Sequence, residues 1–314
     1  MSQQTVLYDI PGPRQRRLTL IISVLATLLV LAGGYFLVYQ PLDEKGQLDM
    51  ELWGPLIDPS NENFSLVWAR IWVGVQNTLI AAVLAIIASL IIGTLVAILR
   101  IQLKSLATRR FTGSALPLSY LLRGLSVGLA GLTRVCVEVF RGLPVVITIF
   151  FVARGFPEFG ITMDTLWYLV IGLTIYNGVV IAEILRSGME GLPPGQREAA
   201  VAIGLSPFQT TSLILLPQAF RIMLPALISQ LVVVLKDTSL GFIISYEETL
   251  NIGKQIIGVL SNPIQVYVVI AVLFILVNYS LSKLAQYVQH RLARGRKTAD
   301  LPVAPATVET GAAV

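Results

Sequence analysis

The chain has 314 residues, of which 55% are hydrophobic and only 13% charged, with a mean hydropathy of +0.76. Soluble chains carry about a quarter charged residues, and a large core does not explain so wide a deficit, so a membrane protein follows. One cysteine, Cys136, and one histidine, His290, exclude an intrachain disulfide framework and a metal cluster built on those side chains, while the net charge of +5 matters mainly through its placement.

Taken in chain order, residues 1–13 are polar with Pro11 and Pro13 and predict no regular structure. Arg14, Arg16 and Arg17 then precede an uncharged run of 22 residues, 18–39. That run exceeds the roughly 7–15 residues of a cleaved signal's apolar core and predicts a retained membrane helix. A second run, 71–99, has 29 uncharged residues and predicts a tilted or over-long span. The third is predicted over about 132–155, with Arg134, Glu138 and Arg141 at one end snorkelling or paired. Runs near 164–184, 222–245 and 264–282 complete six. The reading is an all-α polytopic membrane protein of about six transmembrane helices.

Loop charge assigns the sides. Three arginines precede the first span, and six acids (Asp43, Glu44, Asp49, Glu51, Asp58, Glu62) face Lys45 and Arg70 after it. Arg100, Lys104, Arg109, Arg110 and Arg123 follow the second span with no acid among them. Arg186, Arg197 and Arg221 lie between the fourth and fifth, and Lys283, Arg291, Arg294, Arg296 and Lys297 follow the sixth. Basic connections alternate with acidic ones, which places both termini and the 185–221 connection on the cytoplasmic side of the membrane. The basic 100–123 stretch reads as lying on the membrane surface, and the tail suits anionic lipid rather than nucleic acid. The chain thus divides into 1–17, a cytoplasmic segment; 18–39, a first helix; 70–290, the main transmembrane domain; and 291–314, a basic and then irregular tail.

The 193–217 connection is the most patterned. Pro193 and Pro194 end what precedes them, Glu198 sits in the first turn of a helix over 196–203, and Gly204 suits a left-handed stop. Ser206, Pro207 and Gln209 make an N-cap, N1 and N3 set for a second helix. Ala199, Ala200 and Gly204 leave a shallow apolar surface for another protein to cover, although a plain, well-capped hairpin makes equal local sense.

Glu198-Ala199-Ala200, then Gly204, Ile214 and Leu216-Pro217, match every position of the EAA loop of ABC importer permeases, and the chain resembles that family. Glu138-Val139-Phe140-Arg141-Gly142-Leu143-Pro144, Ala182-Glu183-Ile184-Leu185-Arg186-Ser187-Gly188 and Lys236-Asp237-Thr238-Ser239-Leu240 narrow the resemblance to the polar amino-acid permeases over about 70–290. The resemblance implies a transport subunit rather than an enzyme, with Glu198, Ala199, Ala200 and Gly204 seated in a separate ATPase. It implies no cofactor on this chain, with ATP and Mg held by the ATPase partner. It also implies a second permease chain (self or paralogue) and an extracytoplasmic amino-acid-binding protein. Many such permeases have five spans; the added N-terminal helix and the long 100–123 connection resemble actinobacterial glutamate permeases.

Charges inside spans are expensive and need a reason. Lys236 and Asp237 read either as pathway or gate residues, with Thr238 and Ser239, or as a structural pair, the two hydroxyls bonding back to their own helix. Glu183 and Arg186 are three apart and predict a local pair at the membrane surface; Arg141 predicts an interfacial anchor at a helix start. Asn77 and Thr78 predict bonds to another helix. Gly124-Leu125-Ser126-Val127-Gly128 matches a nucleophile-elbow pattern, but no strand precedes it, and Gly124 and Gly128 fit close packing better. No phosphate-binding loop is present, since Gly253-Lys254 is followed by Gln255. The rival to an ATP-driven importer is a secondary transporter or channel acting alone, with Lys236 and Asp237 as its ion-coupling pair.

Overall fold

The computed structural model describes residues 12–108 and 116–294, and every regular element among them is helical. The predicted irregular ends and Arg109 and Arg110 of the basic connection lie outside the described residues. Among the described residues, six stretches are long and apolar enough to cross a membrane: Pro13–Glu44, Phe64–Thr108, Tyr120–Gly142, Thr165–Glu190, Leu224–Ile244 and Pro263–Gln289. The molecule divides into two compact units. One runs to Val73 and takes in Ile252–Ala271; the other is Gly74–Asn251 with the chain from Val272.

In the first unit, α1 (Pro13–Gly34) starts five residues before the apolar run because Pro13 occupies an early helical position, where its missing N–H costs nothing. It continues through a π turn, Tyr35–Tyr39, into α2 (Gln40–Glu44). No residue of α1 is buried, as suits a helix that is apolar on every side and solvated by lipid. Beyond it, α3 (Met50–Ile57) buries Gly54, Pro55 and Leu56. The Gln265 amide of α13 (Pro263–Arg294) donates to the Gln47 carbonyl at 2.6 Å, and Asn262 donates to the Leu52 carbonyl at 2.9 Å. These bonds satisfy irregular backbone that would otherwise be left unpaired.

The second unit is organised around α7 (Thr165–Glu190), more than half of whose apolar stretch is buried. Asp164 caps it, accepting from the Leu166 N–H at 2.9 Å. Around it stand α4 (Phe64–Thr108), α6 (Val145–Glu158) and α11 (Leu224–Asp237). One core joins Ala97 and Ile101 of α4 to Ile181, Leu185 and Met189 of α7, with Leu215 and Ala219 beyond. Another joins Ala81 and Ala85 to Ile149, Leu169, Leu173 and Val234. Because lipid tails are as apolar as leucine, such helices associate through close packing, and small residues make the approach possible.

Two expectations need correction. The predicted 132–155 span is not one helix. It is divided between α5 (Leu116–Gly142) and α6, with Leu143-Pro144 in the break, because Pro144 supplies no N–H and forces its predecessor out of helical geometry. Arg141 consequently ends a helix rather than starting one, a position where the helix dipole favours a cation. Among the described residues nothing lies within 4 Å of where a Cβ on Gly124 or Gly128 would stand, so neither is a close-packing position within this chain. Close approaches in the second unit include Gly93, Gly172 and Gly188, where an added Cβ would stand 2.7 Å from the Gly178 carbonyl oxygen, 2.7 Å from Ile149 Cα and 2.6 Å from Met223 Cγ.

Candidate coupling segment and pathway residues

After α7 ends at Gly191, α8 (Gly195–Ala202) forms with Glu198 in its first turn. Its end is a two-bond left-handed cap: Leu205 N–H reaches the Ala200 carbonyl and Gly204 N–H the Val201 carbonyl, both at 3.0 Å. Gly204 supplies the required φ of +83°. Space around it is open, so the demand for glycine is conformational and not steric. Ser206 then caps α9 (Pro207–Gln209): its hydroxyl accepts from Gln209 N–H at 3.3 Å, and its N–H donates to Gln209 Oε1 at 2.9 Å. The helix continues through a π turn, Thr210–Leu215, into α10 (Leu216–Ile222). Pro217 accounts for the widened turn, because its ring crowds the carbonyl four residues back and Leu216 N–H bonds Thr211 instead.

The result is two short helices meeting at a corner. Glu198 and Ala199 are exposed, while Ala200 is 1% exposed and packs inward, so it adds nothing to an outer surface. The apolar part of that surface comes from three residues that sequence reasoning passed over: Val201, Ile203 and Phe208, exposed at 69%, 75% and 59%. Their signal was available, as large apolar side chains between two caps in a polar connection.

Three sets of polar contacts hold the corner. Gln196 and Gln218 pair through both amides at 2.8 and 3.0 Å, closing the segment on itself. Gln102 of α4 donates to Thr211 Oγ1 at 2.9 Å and to the Pro207 carbonyl at 3.3 Å. Glu183 and Arg186 pair on α7 as their spacing predicts, with Arg186 Nε 3.1 Å from both carboxylate oxygens. They belong to a longer charge ladder, since Arg100 of α4 bonds Glu183, Arg186 also bonds Glu190, and Lys104 bonds Glu190 at 2.8 Å.

Lys236 and Asp237 end α11, where the chain tightens into a 3₁₀ helix, Thr238–Ile244. Lys236 is exposed and Asp237 half-buried. Thr238 donates to the Leu235 carbonyl at 2.6 Å and Ser239 to the Lys236 carbonyl at 2.7 Å, so both hydroxyls bond their own helix. Close to Asp237 stands the fully buried Asn177, whose Oδ1 accepts from Gln230 at 2.7 Å. Beyond the 3₁₀ helix, Ser245 adopts a left-handed φ of 62°. There the chain is tied back to α4. Asn77 donates to the Glu247 carbonyl at 2.8 Å, and Thr78 pairs with Thr249, the first residue of α12 (Thr249–Leu260), at 2.8 Å. Glu248 is fully buried and caps α12, accepting from the N–H groups of Leu250 and Asn251 at 2.7 and 2.8 Å. Burial pushes its carboxyl up to about 7. Ser126 donates to the Arg123 carbonyl at 2.9 Å, an ordinary helix back-bond.

Comparison with known proteins bears on both regions. The family model for the binding-protein-dependent transport system inner membrane component matches residues 115–294. The chain is 39% identical over 259 residues to the glutamate transport system permease protein GluD of Corynebacterium glutamicum, covering 81% of this chain and 85% of that one. It is 37% identical over 166 residues to the probable glutamine ABC transporter permease protein GlnP of Bacillus subtilis, covering 52% and 76%. Among solved structures, a chain of an amino acid ABC transporter with histidines superposes with a TM-score of 0.57 at 22% identity, covering 74% of this chain and 99% of that chain. A chain of the MetNI methionine ABC transporter, in an inward facing conformation, gives 0.56 at 22%, covering 75% and 98%. The last two show a shared fold.

Proposed function

Since the chain belongs to the binding-protein-dependent transport system inner membrane components, we propose that it is the permease subunit of an ATP-driven importer of polar amino acids, with glutamate its leading solute. The observation that carries the reading is the exposed α8–α9 corner, which combines Glu198, a left-handed Gly204 and an apolar surface of Val201, Ile203 and Phe208. Solvent gains nothing from three large apolar side chains held out on a capped corner, whereas a protein groove would bury them. In this reading the corner seats in a separate ATPase, which holds the ATP and Mg, and this chain performs no hydrolysis. The basic connections, the corner and both termini face the cytoplasm. The transmembrane domain spans about 70–290 and works beside a second permease chain and an extracytoplasmic binding protein.

Glutamate is favoured by the long match to a permease named for it, although the other three proteins above carry different solutes in their names. Lys236 and Asp237 are the pathway candidates, because they mark the end of α11 where regular helix gives way within a membrane-spanning stretch. Thr238 and Ser239 support that turn through their backbone bonds. Arg141, Glu183 and Arg186 have structural roles.

The test is radiolabelled uptake of glutamate, glutamine, histidine and arginine in cells lacking this gene, complemented with wild type, Glu198→Lys or Gly204→Asp. Both variants are expected to insert normally and to abolish uptake. Full uptake by either would overturn the docking assignment. Uptake by this chain alone in vesicles, driven by an ion gradient and indifferent to ATP, would overturn the importer.

A further inference from the structure

Helix α4 is longer than a membrane crossing needs, and its C-terminal end touches both flanks of the corner. The helix has 45 residues, about 68 Å at about 1.5 Å each, against about 30 Å of hydrocarbon. Arg100 and Lys104 lie one turn apart on the same side and face Glu183 and Glu190 of α7, with Arg186 between the two acids. Gln102 projects from another side of the helix and bonds Thr211 and Pro207. So α4 is bonded to the helix that enters the corner and to the turn that leaves it. Beneath these bonds, Ala97 and Ile101 share one buried core with Leu185, Met189, Leu215 and Ala219. The Gln196–Gln218 pair closes the corner on itself.

We propose that Arg100 and Gln102 are positioning residues that carry displacement of the 193–217 segment into α4, and so into the membrane-spanning helices. The proposal rests on the reading of that segment as the ATPase-docking element. Arg100 is the principal link on the α7 flank, because its side chain is 12% exposed and that of Glu183 19%, whereas Lys104 is 69% exposed. A pair held largely out of water resists breaking, and an exposed one contributes little. A simple staple between helices would explain the Arg100 bond alone. It does not explain why Gln102, on another side of the same turn, also grips the far flank of the corner.

The experiment uses the complete importer, with its ATPase and binding protein, in proteoliposomes, and measures glutamate uptake and ATP hydrolysis together. Arg100→Met and Gln102→Leu are expected to keep ATPase association and hydrolysis while uptake per ATP falls about tenfold, the scale of one lost hydrogen bond. Arg100→Lys is expected to recover most of the ratio. Uptake and hydrolysis falling in proportion would reduce Arg100 and Gln102 to structural props and overturn the proposal, as would an unchanged ratio. If Arg100→Met does not accumulate, Gln102→Leu removes no charge and decides the same comparison. A wild-type chain that neither binds nor stimulates an ATPase would instead overturn the docking reading itself.

Discussion

Gly93 of α4 and Gly178 of α7 meet backbone to backbone: a Cβ on Gly93 would stand 2.7 Å from the Gly178 carbonyl oxygen and 2.7 Å from Ile181 Cγ2. The crossing brings α4 against the central helix, and neither a carbonyl nor a fully buried isoleucine can give way cheaply. Gly93→Ala is therefore expected to lower thermal stability in detergent by about 1–3 kcal/mol, the usual cost of overpacking. Gly124→Ala, where space is open, is the control and is expected to leave the melting temperature unchanged or raise it slightly.

Gly204 presents the opposite case, free space with a forbidden backbone angle. At a φ of +83° a β-branched residue is strained by about 1–2 kcal/mol, whereas asparagine visits this region readily. Gly204→Asn is expected to retain most ATP-driven uptake and Gly204→Val to lose most of it, with equal amounts of each in the membrane. Equal uptake by the two would show that the left-handed cap is dispensable.

Ile203 and Phe208 stand exposed on either side of the Gly204 turn, at 75% and 59%. Neither is needed to fold the segment, which is held by its caps and by Gln196, Gln218 and Gln102. Phe208→Asp and Ile203→Asp should each reduce ATPase co-purification at least tenfold, as expected for charges placed where an apolar contact forms. Melting temperature is expected to change little. A fall in stability with ATPase binding intact would place these side chains in an internal contact.

Glu248 makes stability depend on pH. Burial raises its carboxyl from 4.5 to about 7, with the Tyr246 phenol nearby and its two backbone donors opposing the shift only in part. Between those values the folded chain holds a proton that the unfolded chain has lost, so stability falls as pH rises through that window and levels off outside it. The slope approaches roughly 1.4 kcal/mol per pH unit for one group. Thermal unfolding in detergent from pH 4 to 8 is expected to show this fall in wild type and a flatter profile in Glu248→Gln. A wild-type profile that rises across the window would contradict a neutral, buried Glu248.

Much of the 193–217 segment was legible in the chain because its determinants are local. A cap needs only Ser206, Pro207 and Gln209 in order, and a left-handed stop needs only Gly204; all of them act where their spacing puts them. The same reasoning failed at Ala200, since which face of an eight-residue helix packs inward depends on what lies beneath it. It also carried the third span through Leu143-Pro144, because continuity of apolar composition outweighed the proline. Gly124 and Gly128 show the same limit: small-residue spacing says that close packing is possible, not that a helix is there to be packed against.

By itself, the sequence determined that the chain lives in a membrane, how many helices cross it, where the capped corner falls and that Glu183 pairs with Arg186. Each of these follows from hydropathy, charge placement or contacts within a few residues. Only the tertiary structure decided that Arg100 and Gln102 hold the corner from a helix about 80 to 110 residues earlier, that Glu248 is buried, and that Gly93 meets Gly178. Those relationships join residues far apart along the chain. They arise from how α4 crosses α7, which no local pattern encodes.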